Sequence, residues 1–253
     1  MPIGPLAISF LVFVLIFGGA LGGMLLRAKL PERHLSEDSL TVVKLGIGLV
    51  ATMSALVLGL LIASATSTYN SDRAQITQMT AEIILLDRLL AGYGSEAMGI
   101  RTGLRQALRT AVTRIWREES VPRSGPFVPD TESELLYGKI RLLSPKNEIQ
   151  HFLQDQALSV SAQLAQTRLL LFAQSSSAIP TPFLVVLVFW LIIIFSGFAL
   201  TAPPNQTILA VLFVCALSTS AAIFLILEMS EPFTGLMAIP SALLRDALPA
   251  LGA

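Results

Sequence analysis

Charge is what this sequence has least of. Only 13% of its 253 residues are Asp, Glu, Lys or Arg, about half the share of an ordinary soluble domain, so a typical soluble enzyme is excluded as the starting expectation. The seventeen basic residues cancel the seventeen acidic ones, and no global field draws the chain toward nucleic acid. The single cysteine, Cys215, excludes an internal disulfide and a cysteine-rich zinc or iron–sulfur site within one chain. Neither histidine, His34 or His151, lies in a long apolar run. No stretch alternates in the manner of a strand, and neither a phosphate-binding Walker loop nor a G-x-S-x-G elbow is present.

Hydrophobic residues make up 53% of the chain and are bunched. Residues 5–26, 45–69, 178–202 and 206–227 contain no Asp, Glu, Lys, Arg or His. At about 1.5 Å rise per residue, roughly 20 residues cross the hydrocarbon core, and in lipid only a helix keeps its backbone polar groups paired within one segment. The expected fold is therefore an all-α membrane protein with four transmembrane helices, residues 228–253 forming a C-terminal tail. The first run lacks a preceding Lys or Arg and a small-residue cleavage pattern, which reads as a retained anchor, not a signal peptide. Pro203, Pro204 and Asn205 break the third run from the fourth and predict a hairpin.

Residues 70–177 form the only long polar stretch, with twelve of the basic and eleven of the acidic residues, and are expected to be a helical soluble domain between the second and third spans. Ile76, Met79, Ile83, Leu86 and Leu90 recur at helical spacing, predicting a helix that continues out of the second span and ends at Gly92 and Gly94. A second helix carries Leu104, Leu108, Ala111 and Ile115 on one face, and the loop from Pro122 to Pro129 stops it. Thr131 and Glu134 have capping-box spacing for a third. Ser144 and Pro145 predict the start of a long fourth helix, with Ile149, Leu153, Ala157, Val160, Leu164 and Leu171 as its apolar positions. Arg27, Lys29, Arg33 and Lys44 crowd the first loop and read it as cytoplasmic, placing the helical domain outside; the domain's own basic residues weigh the other way.

Several patterns invite chemistry. In the second span Gly48, Thr52, Ala55, Gly59, Ala63 and Thr66 repeat at spacings of 3 and 4. The plainer reading is close helix packing, which small residues permit; the sharper one is a pore lining, with the Thr52 and Thr66 hydroxyls replacing part of an ion's hydration shell. Gly18, Gly19, Gly22 and Gly23 read as packing against another span or subunit. Arg101, Arg105 and Arg109 form a basic helix face, either simply solvated or an anion-attracting vestibule or lipid contact. Glu228 and Glu231 close the fourth span, as a plain interfacial helix end or as a selectivity or gating ring.

The catalytic and metal patterns fail on context. Gly46, Gly48 and Ala51 match G-x-G-x-x-A but lie inside a span with no preceding strand. Glu148 and His151 have the E-x-x-H spacing of di-iron bundles, yet such a site needs two such pairs and two further carboxylates. Cys215 reads as a buried, inert thiol. No catalytic residue, metal or cofactor is expected, and the chain is read as not an enzyme.

The order of segments, together with Ala65, Thr66, Ser67, Thr68 and Tyr69 leaving the second span and Glu231, Pro232, Phe233, Thr234 and Gly235 with Pro240 beyond, resembles the bacterial bestrophin-like family of unknown function. The resemblance covers nearly the whole chain and is remote kinship with bestrophins, which are pentameric anion channels with four membrane segments per subunit. It implies a homo-oligomer, with a pentamer suggested by the resemblance alone, in the cell membrane (the inner membrane of a bacterium), with lipid and ions as partners and the insert in the cytoplasm. The second span here has no Phe or Trp, so the aromatic pore neck of bestrophins has no counterpart, and the acidic calcium clasp of the animal proteins is missing. The expected function is an oligomeric ion channel lined by the second span; the alternative is a non-conducting membrane scaffold or sensor that binds a partner or lipid through its helical domain.

Overall fold

The computed structural model describes residues 4–31, 36–117, 131–174, 181–203, 205–233 and 235–245. Among these the secondary structure is entirely helical: α1 (Pro5–Lys29), α2 (Glu37–Tyr93), a short 3-10 turn (Ser95–Ala97), α3 (Met98–Arg117), α4 (Thr131–Arg141), α5 (Glu148–Gln174), α6 (Thr181–Thr201), α7 (Gln206–Met229) and the single turn α8 (Ala242–Arg245). Helices α1, α2, α6 and α7 are each long and apolar enough to cross a membrane. The loop from Pro122 to Pro129, His34, Pro204, Thr234 and residues 246–253 lie outside the described residues, as do the side chains of Thr131 and Glu134.

The chain divides into two compact units, one formed by Met1–Thr68 and Ile179–Ser230, the other by Tyr69–Ala178 and Glu231–Ala253. In the first, α1 is clasped by α6 and α7. Gly19 and Gly23 present a smooth strip to α6: a methyl on Gly19 would meet Ile192 Cγ2 at 2.9 Å, and one on Gly23 would collide with the Ser196 backbone. Lipid supplies no hydrophobic drive, so this close approach and the hydroxyls beside it hold the pair. Ser196 Oγ donates to the Gly19 carbonyl at 2.8 Å, and Arg27 Nη1 donates to the Leu200 carbonyl at 2.7 Å, satisfying an acceptor at the end of α6. Against α7, Ser220 Oγ donates to the Ser9 carbonyl, and Phe213 meets Phe13 and Phe17 edge-on at 5.4 and 5.5 Å. Ile47 of α2 packs directly over Gly197 of α6. Asn205 caps α7, its Oδ1 accepting from the Ile208 N–H at 2.8 Å.

The second unit is built around the apolar stripe of α2 read from the sequence: Ile76, Met79, Ile83, Leu86 and Leu90 are all buried, against Leu104 and Leu108 of α3, Ile140 of α4 and Ala157 and Val160 of α5. Gly94 turns the chain from α2 into α3 at φ 123°, a backbone angle that favours glycine. Described residues after α7 contribute to this unit as well. Phe233, Ile239 and Leu244 are buried in this same core, Gly235 takes φ 84°, and the Ile239 N–H donates to the Pro232 carbonyl at 2.8 Å. Aromatic and branched side chains beyond a membrane end stay together by entering the nearest apolar core.

The start of α5 differs from the expectation at Ser144 and Pro145. The cap is Asn147, whose Oδ1 accepts from the Gln150 N–H at 2.8 Å, while Gln150 Oε1 accepts from the Lys146 N–H at 2.7 Å. The residues before it form a short non-helical connection after α4, held by the buried Gln154, whose Nε2 donates to the carbonyls of Ile140 and Leu143, each at 2.9 Å. Ile149, expected inside, is exposed because the helix has barely begun there, and Leu153, Ala157 and Val160 make the inward face. Cys215, expected buried, is exposed on α7, since an uncharged helix in lipid need not turn its apolar side chains inward.

Replacing Gly23 by Ala is expected to destabilise the detergent-solubilised protein by about 1–3 kcal/mol through overpacking. Gly22, whose added methyl meets nothing within 4 Å, serves as the control: Gly22→Ala leaves the thermal unfolding midpoint unchanged or slightly raised.

Candidate functional site

Helix α2 presents three different faces within its membrane-length half. Ile47, Ser54, Leu61 and Ala65 are buried against the unit's core; Leu49, Met53, Leu56 and Leu60 are exposed. Between them lie the small residues of the repeat: Gly48, Thr52, Ala55, Gly59 and Ala63 are exposed, and Thr66 is half-buried beside Met229 of α7. A methyl added to Gly48 or Gly59 would meet nothing within 4 Å. Among the described residues, packing within the chain therefore leaves the stripe open at Gly48 and Gly59. At about 100° per residue it occupies an arc of roughly 80°, and the leucines take the adjoining arc.

The two hydroxyls on this face bond to their own helix. Thr52 Oγ1 donates to the Gly48 carbonyl at 2.9 Å and Thr66 Oγ1 to the Ile62 carbonyl at 2.8 Å. Their protons are spent on the backbone, which leaves lone pairs of the exposed Thr52 facing outward, while Thr66 lies against Met229. The face is weakly polar and uncharged.

The basic residues of α3 have different surroundings. Arg101 lies across from Asp87 of α2, donating through Nε and Nη2 to the two carboxylate oxygens at 2.8 and 2.7 Å. The side chains are 19% and 4% exposed, and this two-pronged pairing raises the guanidinium pKa further above its ordinary value, the hydrogen bond to Asp87 being the main cause. Arg105 has its Nε buried without a hydrogen-bond partner among the described residues, and Arg109 is exposed. Asp87 comes from the neighbouring helix α2, so the sequence around Arg101 carries no local signal of this pairing.

The glutamates also part company. Glu228 is buried at 3% exposure near the end of α7, while Glu231 follows the helix and is exposed. His151 pairs with Asp155 one turn along α5, Nδ1 to Oδ2 at 3.3 Å, and no group of three or more metal-ligating side chains occurs among the described residues.

At the turn between α2 and α3, Lys146 Nζ donates to Glu96 Oε1 at 2.7 Å. That bond holds the Glu96 carboxyl below the usual carboxylate range and raises the Lys146 ammonium. The contribution from Glu96 is present above the ordinary carboxylate pKa and is lost as acidification passes through its depressed value. Burial, with Glu96 nearby, pushes the Tyr93 phenol up.

Long uncharged helices, glycine-mediated contacts and an all-helical polar unit define a multi-helix membrane protein. A family model, the Bestrophin-like domain, matches residues 14–244, and the chain belongs to that family. Its fold is similar to crystal structures of a bacterial bestrophin homolog from Klebsiella pneumoniae, each carrying one mutation. One has a TM-score of 0.69 at 15% identity, covering 99% of this chain and 97% of that one. Two others have TM-scores of 0.66 and 0.65 at 15% identity, covering 96% and 95% of this chain and 97% and 96% of theirs. No curated protein matches significantly.

Truncating Asp87 to Ala is expected to cost about 3 kcal/mol, because Arg101 is then left partly buried and uncompensated. Replacing both by apolar residues, Asp87→Leu with Arg101→Met, should recover most of that loss. Chemical unfolding of the purified protein in detergent measures both.

Proposed function

We propose that this protein is one subunit of a homo-oligomeric ion channel in the cell membrane, with four spans per subunit, residues 70–177 as a water-facing helical domain, and α2 lining the conducting path. The observation that carries the reading is the unfilled small face of α2, where Gly48 and Gly59 have open space before them. A helix that met only lipid there would gain nothing from glycine, alanine and threonine over leucine, and α2 does use leucine on the adjoining arc. Two exposed faces of different composition imply two different neighbours, hydrocarbon on one and either other subunits or water on the other.

Membership of the bestrophin-like family supports an oligomeric channel over an enzyme, and a pentamer is the assembly that family likeness favours. In a ring each subunit would turn its small face to the axis, leaving a lumen lined by Gly48, Thr52, Ala55, Gly59, Ala63 and Thr66. Arg105 and Arg109 remain candidates for a vestibule. Arg101 is neutralised by Asp87, and Glu228 is buried, so neither fits a water-facing ring.

Reconstituted into planar bilayers, the wild type is expected to pass current. Thr52→Phe, which puts an aromatic ring where the lumen is narrow, should cut that current at least about tenfold, whereas a non-conducting scaffold shows no wild-type current to block.

A further inference from the structure

Two helices of the second unit each carry an exposed row at the spacing by which one helix seats against another. On α5 the row is Phe152, Gln156, Ser159, Gln163, Gln166 and Leu170, at steps of 4, 3, 4, 3 and 4, every one exposed. Beyond Tyr69, α2 has Ala74, Gln78, Ala81, Leu85, Arg88 and Gly92 at the same steps of 4, 3, 4, 3 and 4, again all exposed. At about 100° per residue each row stays within an arc of roughly 80°, and alternating steps of 3 and 4 make a helix–helix seam.

A helix face that meets only water is ordinarily rich in charge. Here Arg88 is the one charge in either row, and Leu85, Phe152 and Leu170 are 48%, 61% and 46% exposed. Charge-poor surface with large apolar side chains is what the centre of an interface looks like. The two rows are unlike in bulk: α5 offers phenylalanine, leucine and three glutamines, whereas α2 offers Ala74, Ala81 and Gly92, small enough to receive them. Their surroundings are opposite in sign. The exposed carboxylates of α5 are Glu148 and Asp155; the exposed cations of α2 beyond Tyr69 are Arg73 and Arg88, its acids Asp72, Glu82 and Asp87 being buried.

Resting on the homo-oligomer reading above, we propose that the α5 row of one copy docks on the α2 row of the next. A second copy of this chain brings both halves of the match, in spacing, bulk and charge, and pairing two different faces is what closes a ring. The register follows from symmetry. Within one chain a methyl on Gly92 would meet Leu153 at 3.5 Å, and Thr167 donates to Glu82 at 3.2 Å, so α5 runs antiparallel to α2 with these residues level. Rotation about a ring axis along the helices leaves heights unchanged. Across the interface Ala81 therefore stands opposite Gln166, Leu85 opposite Gln163, and Arg88 within a turn of Asp155.

The test is cysteine cross-linking of the full-length protein in detergent, in a Cys215→Ser background. Ala81→Cys combined with Gln166→Cys, oxidised with copper phenanthroline in air, should give a ladder of covalent oligomers on a non-reducing gel, as should Leu85→Cys with Gln163→Cys. Each single variant should stay monomeric on that gel. If a cysteine pair disturbs folding, charge exchange decides: Arg88→Asp should raise the concentration at which the oligomer half-dissociates at least about threefold, and adding Asp155→Arg should restore it. An oligomer intact by light scattering in which neither pair cross-links, or whose assembly ignores the exchange, overturns the docking and leaves the homo-oligomer standing. Single variants that dimerise covalently also overturn it, since identical faces then meet. A wild type that is monomeric by light scattering overturns both.

Discussion

Hydrocarbon is as apolar as leucine, so two helices immersed in it gain nothing by burying leucine against each other. Contact must come from surfaces that fit closely enough to recover dispersion energy, and from polar atoms that find partners nowhere else. Gly19 and Gly23 do the first for α1 and α6, and Ser196, Ser220 and Arg27 do the second. The same rule gives the bare stripe on α2 its meaning. Small residues in a membrane helix are intelligible where something approaches them, and among the described residues nothing approaches Gly48 or Gly59.

The long helix α2 is the element that both units share: its residues through Thr68 belong to one and those from Tyr69 to the other. Its apolar stripe changes partner accordingly, from Ile47, Leu61 and Ala65 in the first core to Ile76, Leu86 and Leu90 in the second. The charges follow the same division. None occurs from Leu45 to Tyr69; beyond that point the acids turn inward to hydrogen-bonding or ion-pair partners and the two arginines turn out. Buried carboxylates require such partners, since an unpaired charge loses its hydration without return.

Much of this was legible in the sequence because lipid imposes a crude signal. A run of twenty or more residues without charge can only be helix there, and the apolar spacing from Ile76 to Leu90 marked the helical continuation of α2. The facing of the membrane helices was not legible. Lipid and protein interior are nearly alike in polarity, so sequence periodicity fades, and Cys215, assigned to the interior, lies outside. The start of α5 differs because Ser144–Pro145 and Asn147 are both good caps by residue type, and a tertiary donor, Gln154, ties the carbonyls of Ile140 and Leu143 into the connection between α4 and α5. Of the candidate site, the stripe was fully visible as spacing, whereas the neutralisation of Arg101 required a partner fourteen positions upstream that only folding brings close. The entry of Phe233, Ile239 and Leu244 into the helical core is likewise a long-range contact with no local signature.

The central claim is that the small face of α2 looks onto an axis shared by several copies of the chain. Electron-microscopic images of the intact protein purified in detergent test it most directly. The account predicts a closed ring in which α2 is the innermost helix and surrounds an open axial lumen; an assembly in which α2 faces the detergent belt, or a dimer packed without a lumen, contradicts it.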